Sequence, residues 1–188
     1  MPAITSFSTL TIDDIRALST ADIKATGSAA IKTLSSAQIQ ALSAEQISAI
    51  GQDSGGTNGY NTGVIVALSG AQLAAFTPYQ AQFGFTSGQI SNLATNQIAS
   101  LSTQQLAVLS FEQIDALSNA NIAKLSATQL GSLSAEQVKA LEDGAGDQLS
   151  STQIGALKAA QLDAVSDFST AQIRMLTSAQ MKLISEDQ

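Results

Sequence analysis

LATNQIAS-LSTQQLAV-LSFEQIDA-LSNANIAK-LSATQLGS-LSAEQVKA runs without interruption from Leu93 to Ala140. Every eighth residue is Leu, with Ser usually next, Gln at the fifth place, Ile or a relative at the sixth and a small residue at the eighth. Outward from this stretch the same unit returns as LSSAQIQA from Leu34 and LSAEQISA from Leu42. Downstream it returns as LSSTQIGA from Leu149 and FSTAQIRM from Phe168. A fixed period of this kind marks a repeat architecture.

The period excludes one continuous helix. Eight residues advance a helix by about 800°, roughly 80° past two full turns. A Leu stripe at that spacing spirals around the helix and faces no single partner, whereas coiled coils need periods near seven or eleven. A β-solenoid fits no better. In a strand, positions 1 and 6 point to opposite faces, and the variable positions favour the helix formers Ala, Gln, Glu and Lys. Each octad is therefore expected to be its own short helix. Ser at 2 and Gln at 5 form a capping box, as in Ser35/Gln38, Ser43/Gln46, Ser134/Gln137 and Ser150/Gln153. Leu at 1 and Ile at 6 then fall where a hydrophobic staple closes the entry to the helix. Asp14 and Asp22 take the fifth place in the early units, where a carboxylate suits the positive helix end. A helix of under two turns does not hold alone, so the expected fold is an all-α solenoid of short capped helices, stacked unit on unit.

Residues 1–50 and 68–188 carry the octads, and residues 51–67 form a Gly-rich insertion between them, giving one continuous solenoid domain. The insertion, GQDSGGTNGYNTG from Gly51 followed by Val64-Ile65-Val66, reads as a surface loop. Its one carboxylate, Asp53, is too few for a calcium site. Phe76, Tyr79, Phe83 and Phe85, with Tyr60, concentrate the aromatics just after it. They read as a local core patch over an irregular joint, with an exposed binding patch as the alternative. The unit from Leu141 loses Gln and Ile and carries Glu142, Asp143 and Asp147, which read as a solvated bend rather than a cation site. The register slips by three over Asp163-Ala164-Val165-Ser166-Asp167, before Phe168, and Ile184–Gln188 reaches the fifth place of a fresh octad. That last feature suggests either a longer array or completion of the stack by another subunit.

Composition narrows the chemistry. The chain has no Cys and no His, which leaves no disulfide, no thiol or Ser-His nucleophile and few ligands for zinc or copper. The repeated Ser residues serve as caps, and no P-loop, Rossmann or HExxH pattern occurs. No enzyme activity, no catalytic residue, no cofactor and no metal site is expected. A net charge of −7 with scattered Lys and Arg argues against nucleic acid. No apolar run approaches the ~20 residues of a membrane span, and the first residues lack the basic and apolar regions of a Sec-type signal.

The unit LSxxQIxAL resembles the octapeptide arrays of very large secreted Gram-negative proteins of the adhesion or haem-utilisation type, over Leu10 to Gln188 apart from the insertion. The resemblance implies a bacterial, extracellular or cell-surface setting and a structural role. A haem role does not carry over, because His and Cys are absent and Tyr60 and Tyr79 are the only tyrosines. The expected partner is a second copy, stacked end to end in a filament or stalk, or neighbouring repeats of a longer chain. The competing expectation is an α-solenoid scaffold for a protein or peptide, although positions 3, 4 and 7 show no coherent column of aromatic or charged residues. Ice binding by regular Ser and Thr rows is disfavoured by the use of Ser as caps.

Overall fold

The computed structural model describes residues 4–51, 62–145, 149–165 and 170–183. Among them there is no strand, and the octads become helices of four to seven residues with one longer exception. The first five are α1 (Ile12–Ala17), α2 (Thr20–Lys24), α3 (Ser28–Ile31), α4 (Ser36–Ala41) and α5 (Ala44–Ser48). The next five are α6 (Thr62–Ile65), α7 (Gly70–Ala74), α8 (Pro78–Gly84), α9 (Ser87–Ser91) and α10 (Thr95–Ile98). Then come α11 (Thr103–Ala107), α12 (Phe111–Asp115), α13 (Asn119–Ile122), α14 (Ala127–Gly131) and α15 (Ala135–Ala145). The series ends with α16 (Ser151–Gly155), α17 (Ala159–Ala164), α18 (Thr170–Ile173) and a 3-10 turn at Gln180–Lys182.

What restarts the helix in each unit is the extended residue at position 2. Ser35 (φ −77°, ψ 160°) and Ser102 (φ −70°, ψ 158°) are typical. Their hydroxyls accept the N3 backbone N–H, so one otherwise unpaired donor of each short helix is satisfied. The capping boxes expected at Ser35/Gln38, Ser43/Gln46 and Ser150/Gln153 are formed with both bonds in place. Ser134/Gln137 forms the same two bonds. Thr11/Asp14 and Ser19/Asp22 form them with a carboxylate. Ala94 and Lys158 replace the cap residue and keep only half of the box, their N–H still donating to Gln97 and Gln161.

Helices three octads apart lie against each other: α1 on α4, α2 on α5, α5 on α8, α8 on α11 and α11 on α14. Ile12 and Ser36, which open α1 and α4, are 24 residues apart. Three octads thus complete one turn, a number the sequence alone left open between two and three. The staple residues line the inside of this winding. Position 6 is fully enclosed at Ile39, Ile47, Ile98, Leu106, Ile114 and Leu130, and position 1 is buried at Leu34, Leu42, Leu101 and Leu109. The core is narrow and continuous, and each unit buries its pair only because the turns before and after it close over them.

Two departures follow from the local chemistry. The unit from Leu141 makes no bend after Leu141: α15 runs through it to Ala145. It has Glu142 at the cap place and Ala145 at the fifth. It thus lacks both the hydroxyl of the usual cap and the Gln that still holds the cap N–H at Ala94 and Lys158, and the helix is not restarted. The side chains of Glu142, Asp143 and Asp147 lie outside the described residues. Within the Gly-rich stretch, the segment ending at Val64-Ile65 is helical as α6 and lies against α3, taking the place of an octad helix. Gly51 enters the insertion with φ 77°, a left-handed conformation that favours glycine. Asp53 and Tyr60 lie outside the described residues, as do Ile184–Gln188.

Candidate functional site

The most regular polar arrangement in the molecule is a column of buried carboxamides at N3. Gln46 shows the pattern. Its Oε1 accepts from Ser43 N–H at 2.7 Å, while its Nε2 donates to the carbonyls of Ile15 at 2.9 Å and Leu18 at 2.8 Å. Those two carbonyls close the C-terminal end of α1, where the Leu18 carbonyl has no backbone donor and the Ile15 carbonyl otherwise accepts only the Leu18 N–H at 3.3 Å. One side chain therefore caps the start of its own helix and the end of a helix one turn below.

The same bonds recur up the stack. Gln105 joins Leu73 and Phe76 at 2.9 and 2.7 Å, and Gln137 joins Leu106 and Leu109 at 2.9 and 2.8 Å. Gln153 joins Ile122 and Leu125, both at 2.9 Å. Elsewhere the reach in sequence changes while the geometry holds. Gln80 bonds carbonyls 41 and 38 residues back, across the insertion. Gln180 bonds carbonyls only 26 and 23 back, across the slip. Asn121 is one methylene shorter and makes a single bond, to Leu93 at 3.0 Å. Among the described residues, no buried side-chain nitrogen or oxygen lacks a hydrogen-bond partner.

Sequence reasoning saw only half of this, the capping of each Gln's own helix. The available signal was the constancy of Gln at a place where Glu caps equally well. Gln offers two N–H donors that Glu does not, and a position that keeps the amide is a position that needs a donor.

The aromatic group after the insertion divides in two. Phe76 and Phe85 are buried, in an edge-to-face contact with centroids 5.0 Å apart, as the core reading expected. Tyr79 and Phe83 instead form a tilted pair at 4.8 Å on the outside of α8, 66% and 57% exposed. A hollow of 370 Å³, which α8 lines through Gln82, is bounded also by Val108, Phe111, Ser134 and Glu136 among others, with Phe111 itself 45% exposed. Among the described residues no three His, Cys, Asp or Glu side chains gather as a metal site would require, and no helix is long and apolar enough to cross a membrane. Carboxylates titrate low where they cap. Asp14 is held down chiefly by the Thr11 hydroxyl and Asp22 by the Ser19 hydroxyl. Glu45 and Glu112 are held down first by their own backbone N–H.

These features define an octapeptide-repeat α-solenoid held by buried carboxamides. Two stretches, residues 15–52 and 84–119, match the ALTTAQ repeat family model, and both contain N3 glutamines of the column just described. No curated protein matches the chain.

Proposed function

We propose that the chain is a non-enzymatic structural repeat protein of the bacterial cell surface or extracellular space, self-associating into a filament, stalk or adhesin-like assembly. The observation that carries this reading is the carboxamide column. From α4 onward the recurring polar position is spent on joining one turn to the next, a use that suits a structural stack of repeats. The bacterial and extracellular setting rests on the resemblance of the octad to secreted exoprotein arrays. Self-association draws support from the C-terminal part, where Ile173, Met175, Met181 and Leu183 expose large apolar surface within eleven residues. Electron microscopy of the purified chain across a concentration series, with circular dichroism on the same samples, tests it. Helical signal with uniform fibres or discrete assemblies is the expected result. Helical signal with single short rods at every concentration would overturn self-association.

A second reading, a scaffold for a protein or peptide, is favoured by the exposed Tyr79/Phe83 pair of α8, a helix that also lines the hollow at Phe111 through Gln82. Under the first reading, replacing both Tyr79 and Phe83 by Ser leaves assembly intact. Under the second it removes retention of the bound partner from a native extract without changing the size of the protein alone.

A further inference from the structure

We propose that the N-terminal turn is a built end of the solenoid, at which Asp14 and Asp22 prevent any other turn, including one from a second copy, from stacking on that face. The two residues stand at N3 of α1 and α2. In α4, α5, α7 to α12 and α14 to α17 the same position holds Gln, and in α13 it holds Asn121. The later side chains donate downward. Asp14 cannot, because an ionised carboxylate carries no hydrogen to donate; its Oδ2 accepts from Thr11 N–H at 2.8 Å and from the Thr11 hydroxyl at 2.7 Å. Asp22 likewise accepts from Ser19 N–H at 3.0 Å and from the Ser19 hydroxyl at 2.6 Å. A turn stacked below them would bring its two C-terminal carbonyls where Ile15 and Leu18 stand to Gln46, at 2.9 and 2.8 Å. There they would meet carboxylate oxygen instead of an amide N–H, acceptor against acceptor.

Other features of that face agree. Leu10 and Leu18, at position 1, stay half-buried where later Leu residues are enclosed, and Asp13 and Arg16 form an exposed ion pair at 3.2 Å on the same helix. Terminal repeats with a polar outer face are what keep a solenoid from adding units indefinitely. The consequence is polarity. Copies do not grow head to tail through the N-terminal face, and self-association, where it occurs, uses other surfaces. The inference does not depend on the proposed function: it closes one face only, and a filament or other assembly through the C-terminal part or through lateral surfaces stays compatible with it.

The test is intramolecular. Four octads of sequence LSAEQIKA replace residues 1–9, once ahead of the native Asp14 and Asp22 and once ahead of Asp14→Gln with Asp22→Gln. Amide hydrogen exchange reads whether the added octads join the stack. With the two Gln residues, the added octads should exchange about 100-fold more slowly than with the two Asp residues. Equal protection in both chains would overturn the proposal. A second variant works in the opposite direction and needs no added segment. Gln129→Asp with Gln137→Asp should create a new end inside the array, so that residues before α14 and after it unfold in two separate transitions. A single transition like that of the unaltered protein would equally overturn it. Because exchange and unfolding are followed within one chain, failure here is distinct from failure to see fibres.

Discussion

The first two helices, α1 and α2, and the helices of the turns above are written in the same octad, with Leu, a hydroxyl cap and Ile, yet they differ at N3. Helix α3, which completes the first turn, has Gly27 as its cap and Ala30 at N3. At N3 the interior turns carry an amide, and α1 and α2 a carboxylate. Both residues cap their own helix about equally well. Only the amide also donates to the turn below. The difference separates two jobs that a capping box ordinarily confounds: starting a helix, which either residue does, and joining it to a neighbour, which needs N–H groups.

The largest effect should come from breaking an interior joint. Gln105 is buried, and Gln105→Leu leaves two groups without a partner, the N–H of Ser102 and the carbonyl of Phe76, while the carbonyl of Leu73 keeps only the Phe76 N–H at 3.3 Å. Each buried unpaired group costs about 1–3 kcal/mol, so the total loss should exceed about 2 kcal/mol. The check is the urea midpoint. Gln105→Glu sharpens the comparison, since it reproduces in the interior the side-chain chemistry that the first turn tolerates. The capping acceptor survives, but a carboxylate then faces two carbonyls in a buried position. A strong loss of stability at neutral pH, partly relieved in acid as the Glu protonates and regains a donor, is the expected outcome. A midpoint equal to that of the unaltered protein would mean that the downward bonds carry little.

Glycine substitutions probe the same contrast through packing. At Gly84, in α8, an added Cβ would lie 2.9 Å from Cβ and Cγ2 of Ile47 on the turn below. Gly84→Ala should therefore destabilise by about 1–3 kcal/mol, overriding the roughly 0.5–1 kcal/mol that Ala ordinarily gains in a helix. Gly27, the N-cap of α3 beside the first turn, has nothing within 4 Å of such a Cβ and makes no side-chain cap. Gly27→Ser supplies the missing hydroxyl and should raise stability by a few tenths of a kcal/mol. Thermal melts of the two variants should move in opposite directions.

Much of this fold is legible in the octad because its signals are local. Ser at N-cap, Gln at N3 and the Leu/Ile staple fix where each helix begins, and the structure keeps them at Ser35, Ser43, Ser134 and Ser150. The number of units per turn was not legible, because it depends on the angle between successive helices, and that angle is set when Ile39 and its counterparts pack inside the winding. The second role of Gln was hidden for a related reason. Its two acceptors lie 28 and 31 residues earlier at Gln46, and nothing near Gln46 in sequence points to Ile15 or Leu18. The run-on of α15 through Leu141 was legible in principle, since that unit lacks the Ser or Thr that restarts the helix in its neighbours. Phe83 and Tyr79 share a segment with Phe76 and Phe85, and composition alone could not tell the exposed pair from the buried one.

The smallest expected effect is also the most local, and it belongs to the first turn alone. Asp14 and Asp22 titrate below the usual carboxylate range because the Thr11 and Ser19 hydroxyls, and then their backbone N–H groups, hold the charged form. A folded pKa below the unfolded one means that the stabilisation is complete above the ordinary Asp range and is lost as pH falls through the folded pKa. Helices α1 and α2 should therefore loosen in acid, while α11 and α14, which have Gln at N3 and no acid in their first turn, should not. Amide exchange of residues 12–17 and 20–24 against 103–107 and 127–131, between pH 7 and pH values below the Asp range, measures the difference. Asp14→Asn with Asp22→Asn should flatten it, since Asn carries no titrating group. If all four helices loosened together, the acid response would lie in the stack as a whole, and the first turn would not be the separately capped element that its carboxylates make it.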